Sequence, residues 1–420
     1  MYKIYFKQAI QMLKQNKFIS IISIAGTALA IMMIMTLIVV NEVKNISIAP
    51  EDKRDRTLYI TFQVERERVN ESSFNTRSGD VSPNIFNKYL SDLKTPEYIS
   101  IMSDFNPEFK QTVNVEGESN YFQFPRRIVD ASYWNIFSFD FIDGNPFSEE
   151  DFQSDVRNVV LSESIARELF KGEKAVGRTI QINFENHRVT GVVKDVSTVF
   201  KYASGGIWVS RRSHGAVLLV ARDKQDFPTI IAEVREAERR YGIENEPWFL
   251  YFRGPENQKV NNMDNMWRGN NEEEFRNVIK IENRRRIFLF AVLLIIPALN
   301  LSGFSLSRIK KRTSEIGVRK AFGAKKHTIL IQVLYENLIT SLIGGFIGLI
   351  FSYIAVVWLK NWLLGVTDSS TIPLNAFLSP AIFVIVFAVC VLLNLLSAGL
   401  SALKASRMSI VNSLNKNDQL

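Results

Sequence analysis

The chain has 420 residues, of which 46% are hydrophobic and 22% are charged, and its formal net charge is +8. These averages conceal four apolar segments of about 20 residues each, long enough to cross a bilayer, and none of them carries a formal charge. The segments are residues 19–40, 287–306, 338–359 and 381–403. This composition excludes a soluble globular enzyme, a secreted protein and a disordered chain.

The basic residues lie beside the apolar segments, in residues 1–17, 308–326 and 404–420, whereas acidic residues outnumber basic ones in residues 41–286. Because lysine and arginine favour the cytoplasmic side of a membrane, we place both termini and the loop 308–328 in the cytoplasm. The net charge therefore requires no nucleic-acid partner. The first apolar segment is too long for a signal-peptide core, and no A-x-A cleavage site follows it.

Residues 1–18 predict an amphipathic helix that lies on the cytoplasmic face, with Ile4, Phe6, Ile10, Leu13 and Phe18 at roughly helical spacing. The alternative is a polar flank with a few apolar residues. After the first span, Val39, Val43 and Ile46 continue the helical pattern. We expect this helix to pair with a second one before residue 286, so that the two form a stalk.

The block between the first two spans predicts a mixed α/β domain. Residues rich in β-forming side chains predict strands, and two amphipathic stretches predict helices. The predicted strands are 58–64, 98–102, 111–115, 127–129, 159–161, 179–182 and 188–193, and the predicted helices are 163–170, begun by Ser162, and 226–241.

The sequence offers little that could perform chemistry. It contains no phosphate-binding G-x-x-x-x-G-K-[ST] loop, no H-E-x-x-H motif and no cysteine spacing typical of a metal site. The only cysteine is Cys390, so no disulfide forms within one chain. The histidines His187, His214 and His327 are scattered, and we expect His187 to lie on the surface of a strand. We therefore expect no catalytic residue, no metal and no cofactor bound by this chain.

The most informative segment lies between the second and third spans and includes E-I-G-V-R-K-A-F-G-A. It predicts a short helix over residues 314–322, with Thr313 or Ser314 as N-cap and Gly323 as the stop. A short cytoplasmic helix between two spans has a shape that fits the cleft of a partner. The alternative is a basic loop that only anchors the topology.

This segment resembles the FtsX-type core of MacB-like ABC transporter permeases, in which E-I-G-x-R-[KR]-A-x-G-A is the coupling helix that docks on a cytoplasmic ATPase. The resemblance extends to a glutamate early in the third span, Glu336, and to alanines and an arginine near the C-terminus, where Ser401 replaces a proline of the motif. It assigns the coupling role to Glu315, Ile316, Gly317, Arg319, Lys320, Ala321, Gly323 and Ala324.

The third span also matches the family in its glycine-rich step, Gly344, Gly345 and Gly348. The G-x-x-x-G spacing predicts close packing against another helix. The pattern is common, so a lipid-facing surface without any partner is the alternative.

A second resemblance lies in the outer block. Three segments match the MacB-type periplasmic core domain, beginning at Val129-Asp130, Val159-Val160 and Val189-Thr190. The family fold implied is an α-helical membrane protein with four transmembrane helices and a large mixed α/β extracytoplasmic domain made of porter-type and Sabre-type subdomains. The implied order is a cytoplasmic helix 1–18, spans 19–40, 286–307, 329–359 and 380–403, a periplasmic domain 41–285, a coupling loop 308–328, a short loop 360–379 and a tail 404–420.

The resemblance implies the membrane subunit of an ABC transporter in a bacterial inner membrane. ATP and Mg bind a separate ATPase subunit, and the permease transmits motion to its periplasmic domain. The implied partners are this ATPase, a second permease copy or paralogue, membrane lipid, and a periplasmic adaptor or substrate protein. We expect export or extraction of a peptide, lipoprotein, antibiotic or other amphiphile. The alternatives are an FtsX-like regulator of a cell-wall hydrolase or signalling partner, and a membrane-anchored enzyme or receptor without an ATPase.

Overall fold

The computed structural model describes residues 17–69, 74–262 and 325–364 without a gap, and isolated positions elsewhere. The isolated positions are residues 6, 10–11, 13–15, 277, 280–281, 283–285, 287–289, 291–292, 318, 321–323, 384, 387–388, 391–392, 395, 399 and 403. The chain forms two compact units, a membrane unit of residues 1–41, 285–359 and 377–420 and an outer unit of residues 42–284 and 360–376. Most of the predicted amphipathic helix, the second and fourth spans, the second stalk helix and the C-terminal tail lie outside the described residues.

Two long apolar helices are described in the membrane unit. Helix α1 (Lys17–Val43) contains a stretch, Ser20–Val39, that is long and apolar enough to cross a bilayer. A later helix, labelled α8 (Lys326–Leu364), contains a second such stretch, Leu330–Leu359. Two of the four predicted spans therefore coincide with helices in the described part of the chain.

The outer unit is built on a split βαβ sheet. Its central strand β1 (Thr57–Ile60) pairs antiparallel with β12 (Ala216–Val220) on one side and β14 (Glu256–Asn257) on the other. Beyond β12 lies β4 (Tyr98–Met102), so the order is β4-β12-β1-β14. A separate three-stranded sheet has the order β13 (Trp248–Arg253), β2 (Phe62–Arg68), β3 (Phe74–Gly79), and its strand β2 follows β1 along the chain.

Two helices cover one face of this sheet. Helix α2 (Pro83–Ile85) continues into a π-helical turn, Phe86–Leu90, and helix α6 (Phe227–Glu244) follows β12. The apolar face of α6 packs on alternate residues of β1 and β12 because successive strand side chains point to opposite faces. These buried residues are Ile230, Val234, Ala237 and Tyr241 of α6 with Leu58, Ile60, Val217 and Leu219 of the strands.

A second subdomain is inserted between β4 and β12. Six of its strands close into a ring, because each pairs with two neighbours. In ring order they are β11 (Ile207–Ser210), β8 (Asn158–Ser162), β10 (Glu185–Val193), β9 (Thr179–Ile182), β5 (Lys110–Val115) and β6 (Phe122–Val129). Inside this barrel, Val113, Leu161, Ile180 and Ile207 pack with Leu169 of helix α5 (Glu163–Phe170).

An aromatic cluster packs on the outside of the barrel. Trp134, in helix α3 (Tyr133–Ile136), meets Phe147 edge to face at 5.6 Å between ring centres. Gly144 ends strand β7 (Phe141–Gly144) with a φ of +69°, and a Cβ there would collide with Thr190 O. This conformation and this close contact explain why a glycine occupies this position. A short helix, α4 (Glu149–Gln153), follows.

The predicted elements agree with the structure where the sequence pattern is regular. Helix α5 occupies the predicted residues 163–170, and α6 begins one residue later and ends three residues later than predicted. Ser162 stands at the N-cap position of α5, but its side chain makes no capping bond. Asp195 Oδ1 accepts from Ser164 N instead, at 3.2 Å.

Candidate functional site

Most of the predicted coupling helix lies outside the described residues, including Glu315, Ile316, Gly317, Arg319, Lys320 and Ala324. Val318 and Ala321 are helical, and Phe322 N donates to Val318 O at 3.0 Å, which closes a helical turn. Gly323 follows with a φ of +89°, and a Cβ there would meet no atom within 4 Å. Its left-handed conformation, rather than crowding, is therefore what favours a glycine.

The predicted packing glycines face α1. A Cβ on Gly344 would lie 2.8 Å from Thr27 Cβ, and one on Gly348 would lie 2.6 Å from Ala28 O. Gly345 lies beside the Phe387 ring, which a Cβ would strike. Small residues at such positions let two helix backbones approach closely, and van der Waals packing then holds them together in lipid.

We expect Gly348→Ile to separate α1 from α8, since a backbone carbonyl cannot rotate away as a side chain can. Overpacking of this kind costs about 1–3 kcal/mol, and the thermal midpoint of the purified chain in detergent should fall. Gly26→Ile is the matched control, because Gly26 lies in α1 with nothing within 4 Å of an added Cβ. Equal losses in the two variants would contradict close packing at Gly348.

A buried arginine holds the end of α1. Arg54 lies in the 3-10 turn Arg54–Arg56, and its guanidinium donates to Val43 O at 2.9 Å and to Ile46 O at 3.0 Å. The last carbonyls of a helix lack partners within it, and a cation is favourable at that end. The prediction that α1 continues to Ile46 is therefore wrong, because the chain turns at Val43, where Arg54 binds.

The same guanidinium reaches a loop of the barrel subdomain, residues 196–206, which we name the joint loop. Arg54 donates to Val199 O at 3.2 Å, and its guanidinium carbon lies 5.0 Å from the centre of the Phe200 ring. One side chain thus contacts both the end of α1 and the joint loop.

Glu51 completes the attachment. Its Oε2 accepts from Arg54 Nε at 2.5 Å, and its Oε1 accepts from Tyr202 N and Ala203 N at 2.8 Å each. Both charged side chains are only 1% exposed. A buried ion pair is stable only where further hydrogen bonds satisfy both groups, and these contacts supply them.

Barrel residues hold the other side of the joint loop. Arg127 of β6 is buried and donates to Lys201 O at 2.7 Å, to Ser204 O at 2.8 Å and to Ser103 O at 3.0 Å. Burial lowers the pKa of this guanidinium. Backbone carbonyls therefore replace water around it, and they fix the joint loop to the barrel wall.

The chain segment that follows β14 contacts the end of α1 and the joint loop as well. Gln258, in helix α7 (Gln258–Asn261), and Asn262 both donate to Lys44 O, at 3.1 and 2.9 Å. Asn261 Nδ2 donates to Tyr202 Oη at 2.7 Å. The segment that leaves α1, the segment that returns towards residue 285 and the joint loop are thus hydrogen-bonded together. We name these contacts of Glu51, Arg54, Arg127, Gln258, Asn261 and Asn262 the joint.

Asp130 is a buried acid whose role is structural. Burial raises the pKa of its carboxyl to about 7. The carboxyl accepts from Ser100 Oγ at 2.6 Å, Ile101 N at 2.9 Å and Tyr133 N at 3.0 Å, so it ties β4 to the start of α3. The described residues hold no group of three or more histidine, cysteine or acidic side chains placed to bind a metal.

Family comparisons agree with this architecture. Residues 20–238, just over half of the chain, match the model of the MacB-like periplasmic core domain, and residues 287–410 match the FtsX-like permease C-terminal model. The chain belongs to the MacB-like permease family with an FtsX-type membrane domain. The resemblance inferred from the coupling segment and from the outer-domain motifs is thereby confirmed.

Individual relatives of the permease are distant. It is 25% identical over 254 residues to the uncharacterized ABC transporter permease YknZ of Bacillus subtilis. This alignment covers 58% of the present chain and 62% of YknZ. It is 24% identical over 306 residues to the macrolide export ATP-binding/permease protein MacB of Escherichia coli K12, which covers 68% of this chain and 42% of that one.

Among solved structures, the extracellular domain of a YknZ transporter from Gram-positive bacteria is 13% identical, with a TM-score of 0.34. It covers 46% of this chain and 99% of that one. The periplasmic region of MacB from Actinobacillus actinomycetemcomitans is 15% identical, with a TM-score of 0.31, and it covers 46% of this chain and 88% of that one.

Proposed function

We propose that this permease is the membrane subunit of an ABC transporter and that a separate ATPase chain drives it. The YknZ relative is described as a permease, whereas the MacB relative combines ATP-binding and permease parts. These 420 residues include no phosphate-binding loop, and in our proposal ATP and Mg bind the partner.

The observation that carries the proposal is the joint. Helix α1 has 27 residues, which makes it a rod about 40 Å long. Its last carbonyl is bound by Arg54, Arg54 is ion-paired to Glu51, and Glu51 binds the joint loop. A shift of α1 would therefore pass to the joint loop, because neither buried charge can lose its partner without a large cost.

In this mechanism the ATPase moves the coupling helix at residues 314–322 when it binds and hydrolyses ATP. The membrane unit carries that motion to α1, and the joint passes it to the barrel through Arg127. The apolar segments hold no charged residue to line a polar pore, so the substrate would be moved outside the bilayer. We propose an amphiphile as substrate, such as a peptide, a lipoprotein or an antibiotic, and a dimer of permeases as the working assembly.

Hydrogen exchange of the reconstituted complex tests this proposal. The permease is combined with its ATPase, in which the catalytic glutamate is replaced so that bound ATP persists. We expect the amides of Tyr202 and Ala203, which Glu51 holds, to change their exchange rate when ATP is added. The amides of α6 serve as the internal control and should keep their rate. An unchanged joint loop in a complex that demonstrably retains ATP would refute transmission through the joint.

A further inference from the structure

One end of the barrel carries a cluster of arginines. Strand β8 runs from Asn158, next to Arg157, to Ser162, where α5 begins. Strand β10 is parallel to β8, and β11 is antiparallel to it. Glu185 at the start of β10 and Arg211 just after β11 therefore lie at the same end of the barrel as Arg157, the end opposite the start of α5. We name this end the barrel mouth.

The positions at the mouth continue the inner-face alternation of the barrel strands, and the side chains of Arg157 and Arg211 are more than half exposed there. Arg157, Glu185 and Arg211 keep the alternation of buried lumen residues on their strands, such as Val159, Val189 and Val209. Arg126 follows Phe124 with the same alternation on β6 and pairs with Ile207 of β11, and its charge acts on Glu185 and Arg211 at the mouth. His187, which we expected on the surface, is only 4% exposed. The surface prediction for it was wrong because its side of β10 faces the lumen.

The charges at the mouth do not balance. Glu185 accepts from Arg211 Nη1 at 3.4 Å and lies 3.8 Å from Arg157 Nη2, so one carboxylate serves two guanidiniums. Arg126 is half-buried and makes no hydrogen bond or ion pair with any residue in the described part of the chain. Burial and the nearby positive charge of Arg211 lower its pKa, and the Glu185 carboxylate only partly opposes them.

His187 adds no further positive charge at neutral pH. Burial lowers the pKa of its imidazole, and Nδ1 lies 2.8 Å from Glu185 O. Among the residues that the structure describes, the mouth therefore holds three guanidiniums against one carboxylate. A half-buried guanidinium without a partner is unfavourable, and a bound anion would relieve both its desolvation and the repulsion from Arg211.

We propose that the barrel mouth binds the phosphate group of a ligand through Arg126, Arg157 and Arg211. Guanidinium groups bind phosphate with paired, charge-assisted hydrogen bonds, and three of them suit an anion that presents several acceptor oxygens. The mouths of β-barrels are frequent ligand sites. The phosphate can belong to a free ion or to a lipid headgroup, and a competition experiment separates the two. This site does not depend on the proposed ATPase coupling.

The test uses the full chain in dodecyl maltoside, which contains no phosphate. Inorganic phosphate is titrated while the width of its ³¹P resonance is followed, and dihexanoylphosphatidylglycerol is then added as competitor. We expect saturable binding of inorganic phosphate. Displacement by the lipid would identify a headgroup site, and saturable binding that the lipid leaves unchanged would identify a site for the free ion. Both results support the proposal.

The variants are Arg126→Gln and Arg211→Gln, each of which should weaken phosphate binding at least about tenfold, as expected for loss of a charged hydrogen bond. Arg212→Gln is the matched control, because Arg212 lies next in sequence but faces Asp155 at 3.5 Å and the Phe152 ring. Its affinity should equal that of the parent. An absence of saturable phosphate binding, or an equal affinity in all four proteins, overturns the proposal. Thermal midpoints confirm that each variant is folded.

Discussion

Arg54→Met should lower the free energy of unfolding of the outer unit by about 3–5 kcal/mol, the usual cost of breaking a buried ion pair. The change leaves Glu51 buried without its cation and removes the donor from Val43 O, Ile46 O and Val199 O. Urea titration of the full chain in detergent measures the loss through tryptophan fluorescence. Trp208 is a suitable reporter because it is buried in the same cluster as Phe200 and Tyr202.

Arg56→Met is the matched control for this prediction. Arg56 lies in the same turn, pairs with Glu97 and donates to Ala221 O at 2.8 Å, but both charged side chains are partly exposed, so its loss should cost only about 1 kcal/mol. Equal losses of unfolding free energy in the two variants would show that the buried ion pair stabilises the outer unit no more than the exposed one does.

A double variant separates stability from transmission. Glu51→Leu together with Arg54→Met replaces both charges by apolar groups, which often restores much of the stability lost in the single variant. It still lacks the hydrogen bonds by which Arg54 and Glu51 link the end of α1 to the joint loop. We therefore expect a folded permease whose joint-loop amides no longer respond to ATP on the partner.

Gly323→Val should abolish ATP-driven output while the protein remains in the membrane at its normal level. Gly323 has a φ of +89°, and a β-branched residue in that conformation costs about 1–3 kcal/mol. The turn after the coupling helix would change its path, and the helix would no longer meet the ATPase correctly. We expect the same loss from Glu315→Lys, which reverses the single acidic charge within residues 308–326.

The control is Gly323→Asn, because asparagine tolerates left-handed backbone and an added Cβ meets nothing within 4 Å. It should retain most of the output. The measurements are transport, abundance in the membrane and co-purification of the ATPase. If the valine variant works normally with a normally bound partner, residues 308–326 only anchor the topology.

Sequence patterns predicted the elements that are regular and locally determined. Helix α5 was placed correctly because Ile165, Ala166, Leu169 and Phe170 repeat at helical spacing. Strand β3 was missed because its sequence, FNTRSG, is polar and mostly exposed. Strand β12, AVLLV, was also missed. It is buried at every residue, and a short apolar run does not distinguish a strand from a buried helix.

The joint could not be predicted from sequence. Glu51 and Arg54 belong to the run EDKRDR, whose composition is typical of an exposed turn. Their burial depends on the joint loop, which lies far away along the chain and carries no motif of its own. The barrel mouth could not be predicted for a related reason. The six strands form a ring only because β6 pairs with β11.

The insertion of the barrel has a consequence for how the outer unit is made. Thr57 of β1 pairs with Val220 of β12, and Leu58 pairs with Asn257 of β14, so β1 is synthesised first and both of its neighbours last. Contacts between such distant residues form slowly. The barrel strands are continuous in sequence and can close early, while β1 keeps two open edges. An interrupted export of the chain would therefore leave a finished barrel beside an unpaired strand, which is the form most prone to pair with another chain.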